Sequence, residues 1–242
     1  MALDLLATSS LLRGHVAQGK VVLGVNHKMT DFATGRKKVL DLVIARPAGQ
    51  PMGKLQTFES LARKYDIGLT NEEQGVLDAF PVFPIAPVGA VLVALEAKAA
   101  MTSHVKALPR LYDELNSSHL CVHGASKQAL AIGYVQVNAS ESFVSPVINN
   151  GPIPPSGPVV STHNQPRDTL RVIQKVAEIP RRSASSEVGF DGIGVTVMDF
   201  KNDGGYVEIV EAPPAPQPGE QFHYSNMIVR MANEYDTVFS RI

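Results

Sequence analysis

The sequence predicts an α/β protein built on a mixed central β-sheet with helices on its faces. Residues 38–45, 89–98 and 128–138 are apolar or alternate between apolar and polar positions, which is typical of strands. Residues 103–118 lie between the second and third of these segments, and their apolar side chains recur at helical spacing. Strands interleaved with a helix predict a layered fold in which helices cover a sheet.

The other elements of the N-terminal half follow from the same spacing rules. They are a helix over residues 3–12, the strand over 38–45, a helix from about 55 to 65 and a strand over 75–85. In the first strand, Leu40, Leu42 and Ile44 alternate with Asp41 and Val43. Two prolines in the last segment confine that strand to a sheet edge or a bulge.

The C-terminal half begins with a linker, because residues 146–166 carry six prolines. Beyond it, we expect a helix over 168–179, strands over 192–200 and 206–210 joined by a hairpin turn, and a helix over 225–238. We treat residues 1–242 as a single domain. Its core is expected at about 54–138, with a C-terminal α+β elaboration at about 167–242.

Composition describes an ordinary globular protein, with 44% apolar and 19% charged residues. Cys121 is the only cysteine, which excludes an intrachain disulfide and favours a reducing, cytoplasmic location. Apolar runs of about 18 residues, which a membrane span needs, do not occur, so we expect no membrane partner.

The net charge of −1 hides an uneven distribution. Residues 1–64 hold ten basic and four acidic side chains, whereas residues 65–97 hold five acidic and no basic ones. A basic segment beside an acidic one suits an enzyme that grips a polyanion and holds a cation at its reaction centre.

The most informative local pattern is the end of the apolar run at 89–98. Glu96 and Lys98 are two positions apart, so a strand projects them side by side from the same face. Buried charges are costly unless they are paired or bind a metal, so this placement predicts a site. An upstream acid, Asp78, is the expected third member.

Asp78 followed by Glu96-Ala97-Lys98, a helix and a strand resembles the PD-(D/E)xK nuclease superfamily, which includes many restriction endonucleases. The resemblance covers about residues 54–138, although Leu77 stands where the motif has proline. It implies a restriction-endonuclease-like fold in which the acid and the E-x-K lie on neighbouring strands of a mixed sheet.

The resemblance also implies roles for individual residues. Asp78 and Glu96 would bind Mg²⁺, for which Mn²⁺ can substitute, and the carbonyl of Ala97 and the side chain of Glu59 are further candidate ligands. Lys98 would position the attacking water. A bound Mg²⁺ ion suits phosphodiester hydrolysis, because it activates water and neutralises charge on the phosphate.

The expected function is therefore a Mg²⁺-dependent endonuclease that hydrolyses double-stranded DNA. A homodimer is expected, because two-fold symmetry suits cutting both strands. The candidate contacts to DNA are basic side chains on the N-terminal segment and on the helix after the motif. They are Arg36, Lys37, Lys38, Lys54, His104, Lys106 and Arg110.

Three alternatives remain open at this level. The same site could serve a structure-specific or single-strand nuclease in repair or phage DNA processing. A non-catalytic DNA-binding protein could keep the fold and use its basic N-terminal segment. Glu96 and Lys98 could also form a simple salt bridge at a strand end, with Asp78 capping a turn.

Two weaker constellations are also present. His119, Cys121 and His123 could suggest zinc, but they lack a fourth partner, which favours packing. Asp191 with Asp199-Phe200-Lys201 forms a second acid and D-x-K pattern, which ends in a turn where a helix would be needed.

Overall fold

A mixed β-sheet organises the computed structural model, which describes residues 1–31, 34–49, 56–152 and 154–242. The strands are β1 (Val22–Thr30), β2 (Lys37–Pro47), β3 (Gln56–Thr57), β4 (Pro84–Ile85), β5 (Val88–Ala100), β6 (Leu130–Asn138), β7 (Ser142–Phe143), β8 (Ser161–Thr162), β9 (Gly192–Asp199) and β10 (Glu208–Ile209). Eight of them form the sheet in the order β10-β9-β6-β5-β2-β1-β4-β3, while β7 and β8 pair separately.

The helices are α1 (Ala2–Thr8), α2 (Ser10–Ala17), α3 (Phe58–Lys64), α4 (Asn71–Asp78), α5 (His104–Ala125), α6 (Arg167–Ala177) and α7 (Tyr224–Val238). They cover both faces of the sheet. The alternation along β6 shows this, because Ile132 packs in the cluster with α1, α2 and α7, whereas Val135 packs in the cluster with α5 and α6. The fold is therefore a three-layer α/β arrangement around a mixed sheet.

Strand directions place the start of β2 and the end of β5 at the same end of the sheet. β5 runs antiparallel to β2 and parallel to β6, and β6 runs parallel to β9. The first residues of β2 therefore lie beside the last residues of β5. α5 begins just after β5, so its first turns lie at the same end.

Most of the predicted elements are confirmed. The strand expected over 38–45 is β2, and the strand expected to end at Glu96 and Lys98 is β5. The long helix, the strand after it and the C-terminal hairpin are α5, β6 and the antiparallel pair β9–β10. The hairpin belongs to the main sheet, because β9 is hydrogen-bonded to β6.

Two predictions at the N-terminal side are wrong, and one strand was missed. The helix over 3–12 is interrupted at Ser9, whose side chain caps α2 by accepting the N–H of Leu12. β1 was not predicted. The strand over 75–85 is largely replaced by α4, which starts with a reciprocal capping box between Thr70 and Glu73.

Candidate functional site

A cluster of charged side chains lies where β5 ends. Glu96 is only 3% exposed, and the Nζ atom of Lys98 lies 2.6 Å from its Oε1 atom. The Nζ atom of Lys38, at the start of β2, lies 3.7 Å from the same oxygen. Glu96 is thus a buried carboxylate with a cation from each of two neighbouring strands.

Asp41 on β2 completes the cluster. Its Oδ2 atom accepts the backbone N–H of Ala97 at 2.7 Å. The regular ladder between β2 and β5 reaches Leu42 and Leu95, and beyond that pair the Asp41 side chain takes the place of a backbone partner. Since an extended residue points its N–H and C=O to the same side, the carbonyl of Ala97 also faces β2.

The electrostatics of Glu96 are those of a carboxylate that burial has removed from solvent. Burial raises its pKa, against the opposing effect of Lys98 and Lys38, and the negative charge of Asp41 raises it further. Its Oε2 atom is buried and makes no hydrogen bond in the structure. One oxygen of Glu96 is therefore neutralised by lysines, and the other is left to accept a further ligand.

The oxygen atoms at this place are of the kind that Mg²⁺ takes as ligands. Asp41 and Glu96 supply two carboxylates from neighbouring strands, and Ala97 supplies a carbonyl. Mg²⁺ is commonly held by one or two carboxylates together with waters and substrate phosphate oxygens. In the parts of the chain that the structure describes, groups of three or more His, Cys, Asp or Glu side chains suited to a metal do not occur. The candidate is a two-carboxylate site.

A groove of about 500 Å³ adjoins the cluster on the side of α5. Lys98, Lys106 and Arg110 line it, together with Glu114. Glu114 pairs with Lys98 at 3.2 Å and with Arg110 at 2.5 Å. Burial lowers the pKa of Lys98, but the bonds to Glu96 and Glu114 outweigh it, so the pKa is raised overall. Lys98 is therefore a firmly charged ammonium at the wall of an open groove.

Asp78 does not lie where the sequence predicted it. It is the last residue of α4, is exposed, and accepts a hydrogen bond from Gln74. Glu59 lies in α3 and pairs with Arg63. These two acids line a pocket of about 370 Å³ next to α1 and the β4–β3 edge of the sheet.

The strands β2 and β1 separate that edge from β5, so the structure brings neither Asp78 nor Glu59 to Glu96. The physical reason is the helical conformation of residues 71–78, which removes Asp78 from any strand beside the E-x-K segment. The acid on the neighbouring strand is Asp41.

The predicted nucleic-acid contacts that the structure describes divide into three groups. Lys106 and Arg110 are exposed at the groove, and Arg36 and Lys37 are exposed at the start of β2. Lys38 is half-buried and turned toward Glu96. His104 is buried with its Nε2 atom 2.7 Å from the carbonyl oxygen of Asn138, so it is a structural residue at the start of α5. Lys54 lies outside the described residues.

The two weaker constellations have structural roles. His119 packs edge-on against Phe190, and Cys121 is buried. Asp191 accepts hydrogen bonds from Arg182 and from the N–H of Ala131. These side chains secure the packing of α5 and the start of β6.

Comparison with known proteins gave no match: no family model, no curated protein and no solved structure resembles the chain closely enough to indicate a family. Across the described ranges, none of the helices combines the length and the apolar content that crossing a bilayer requires. The fold and the site geometry therefore carry the functional conclusion by themselves.

Proposed function

We propose that the protein is a Mg²⁺-dependent endonuclease of the PD-(D/E)xK type, with a restriction-endonuclease-like fold, that hydrolyses phosphodiester bonds of DNA. The observation that carries the proposal is the bond from the Ala97 N–H to Asp41. It sets an acid on β2 beside Glu96-Ala97-Lys98 on β5. Acid and E-x-K on neighbouring strands of a mixed sheet are what the resemblance implies, with Asp41 in the place that the sequence assigned to Asp78.

Each residue of the cluster has a task in this proposal. Asp41 and Glu96 would hold the ion with their carboxylates, and the carbonyl of Ala97 would be a further protein ligand. A bound Mg²⁺ ion lowers the pKa of an attacking water and neutralises charge on the phosphate. Lys98 orients that water and places positive charge where negative charge develops in the transition state.

Exposed cations around the site support DNA as the substrate. Arg36 and Lys37 precede Lys38 of the cluster at the start of β2, while Lys106 and Arg110 line the groove along α5. Exposed cations around a hydrolytic centre can bind phosphates of the substrate strand. The two carboxylates meanwhile hold the metal rather than repel the substrate.

Double-stranded DNA is the proposed substrate and a homodimer the proposed assembly. One such site cuts one strand, and a two-fold axis would bring a second site to the other strand. A cytoplasmic location, favoured by the lone cysteine, belongs to the same proposal.

The test is a cleavage assay on supercoiled, linear and single-stranded DNA with Mg²⁺, Mn²⁺ or EDTA. We expect metal-dependent cutting of duplex DNA that EDTA abolishes. Lys98→Ala should reduce cleavage by at least about 100-fold while leaving DNA affinity in Ca²⁺ within about threefold, because the lysine acts on the reaction rather than on binding.

The alternatives give different results in the same assay. Preferential cutting of single-stranded or branched DNA would assign the site to DNA processing. DNA binding without cleavage, unaffected by Lys98→Ala but lost on charge reversal at Arg36 and Lys37, would identify a non-catalytic binder. The proposal is refuted by either absence of cleavage in both metals or cleavage that is unchanged in Lys98→Ala.

A further inference from the structure

Lys98 is held between carboxylates from two different elements. Its Nζ atom lies 2.6 Å from Glu96 Oε1 on β5 and 3.2 Å from Glu114 Oε2 on α5. A lysine ammonium sits on a flexible four-carbon stem, so its position depends on such partners. The side chain remains 23% exposed at the groove, which leaves it room to move if a partner is lost.

The first of these partners has a second task in the proposed reaction. If Glu96 held a divalent cation, its negative charge would be shared with that cation, and the Lys98 ammonium would be repelled by the added positive charge. Lys38, which also contacts Glu96, adds a further positive charge. The contact between Lys98 and Glu96 is therefore weakest in the state in which Lys98 is needed.

The second partner is not a proposed metal ligand, and the helix that carries it is anchored in the core. Arg110 pairs with the Oε1 atom of Glu114 and leaves Oε2 for Lys98. Burial raises the pKa of Glu114, but its bonds to Arg110 and Lys98 outweigh that effect and lower the pKa overall. Leu111 and Leu115, on either side in the sequence, are buried in the core, so this part of α5 is anchored.

We propose that Glu114 is a positioning residue, which keeps the Lys98 ammonium directed at the attacking water once Glu96 is engaged by the metal ion. This inference rests on the proposed function and adds to it a residue outside the E-x-K segment. The helix after the motif thus supplies an anchor that the strand itself cannot provide.

The first measurement is steady-state cleavage by the full-length chain with Glu114→Gln, which keeps the size of the side chain and removes its charge. We expect kcat to fall about 10- to 100-fold, as for a misplaced catalytic group, and KM for DNA to change less than threefold. Glu114→Asp keeps the charge on a shorter stem and should restore part of kcat.

Glu178→Gln is the matched control. Glu178 lies at the C-terminal end of the neighbouring helix α6, pairs with Lys175 at 2.6 Å and does not line the groove at Lys98. Removing that lysine–glutamate pair should leave both kcat and KM as in the parent protein. Thermal unfolding of each variant shows whether the fold is intact.

The second measurement does not depend on cleavage. Side-chain NMR of lysine follows the mobility of the Lys98 methylene groups with and without Mg²⁺. In the parent protein Lys98 should stay ordered in both states. In Glu114→Gln it should be ordered without Mg²⁺, when Glu96 still holds it, and mobile with Mg²⁺.

The outcomes separate this inference from the proposed function. If the parent protein cleaves DNA and Glu114→Gln cleaves with the same kcat, or keeps Lys98 ordered in Mg²⁺, the positioning role is overturned and the nuclease proposal stands. If the parent protein cleaves DNA in neither Mg²⁺ nor Mn²⁺, both are overturned.

Discussion

The Oδ2 atom of Asp41 accepts the N–H of Ala97 at 2.7 Å, and this bond joins two strands whose residues are 56 positions apart in the sequence. It brings a second acidic residue next to the E-x-K segment that contains the buried Glu96, and in the proposed nuclease the metal ligands would come from two strands. The bond also restrains the Asp41 side chain, which is the pre-organisation that the proposed metal site would need.

Asp41→Asn tests this assignment directly. The amide oxygen can still accept the Ala97 N–H, so the free energy of unfolding should change by less than about 1 kcal/mol. Loss of the negative charge should reduce Mg²⁺-dependent cleavage by at least about 100-fold. Cleavage rate and urea denaturation of the same preparation check both statements.

Asp78→Asn is the comparison, because Asp78 is the acid that the sequence favours and is exposed at the end of α4. Its cleavage rate should equal that of the parent protein. A large loss in Asp78→Asn together with full activity in Asp41→Asn would reverse the assignment.

Charge reversal at Arg36 and Lys37 should weaken DNA binding uniformly across sequences. Both are exposed at the start of β2, beside the cluster. Cations that contact phosphates release counterions on binding, so the double variant should lower the slope of log affinity against log salt by about two. Binding titrations in Ca²⁺ at several salt concentrations measure this slope. An unchanged slope would exclude these two side chains from the interface.

The placement of Glu96 beside Lys98 could be predicted, because it depends only on the alternation of side chains within one strand. Glu96 and Lys98 share a face of β5 by strand alternation alone, and the preceding apolar run identifies a buried strand. Helix α5 and strand β6 follow from the same kind of periodicity. Within such segments, the sequence pattern is enough to place a side chain.

Asp41 could not be identified from the sequence as the acid beside Glu96, because that requires knowing which strand lies next to β5. β2 and β5 are neighbours in the sheet although β3, α3, α4 and β4 intervene in the chain. Local periodicity carries no information on that pairing. One signal was nevertheless present, since Asp41 is the single acid of β2 and interrupts the apolar stretch from residue 39 to residue 45.

A sequence pattern upstream of Asp78 did indicate the helix that was missed. Thr70 and Glu73 form the T-x-x-E spacing of a capping box, which favours a helix start at residue 71. The prolines that follow the helix suggested an edge strand, and the structure keeps only the two residues of β4 from that prediction. In this segment, the capping-box pattern is a better indicator of helix than the short apolar run is of a strand.

Outside the candidate site, we expect substitution of Arg182 to lower the free energy of unfolding strongly. It is 4% exposed, and its guanidinium donates to Asp191 Oδ1 and to the carbonyls of Lys127 and Ala129. Arg182→Met removes a buried cation and leaves Asp191 with one partner fewer, so it should cost about 3–5 kcal/mol. Urea denaturation measures the loss. Arg171→Met removes a half-buried arginine of α6 whose ion pair with Asp168 is long at 4.0 Å, and it should change stability by less than about 1 kcal/mol.

Buried histidines should make the fold sensitive to mild acid. Burial, together with the positive charges of His123 and Arg182, lowers the pKa of His119 to about 4, against an ordinary value of 6.5. Below pH 6.5 the unfolded chain therefore takes up a proton that the folded protein does not, and the free energy of unfolding falls until the pH approaches 4. This single group should contribute a loss of about 2 kcal/mol between pH 7.5 and pH 5.

Glu, Asp and other His residues titrate over the same range, so the contribution of His119 is read from a difference. His119→Gln keeps a neutral hydrogen-bonding side chain near Asn116, the partner of the His119 ring. Urea denaturation at pH 7.5, 6.5, 5.5 and 5.0 should show a shallower fall in stability for this variant than for the parent protein. Parallel curves for the two proteins would mean that His119 is protonated in the folded state near its ordinary pKa.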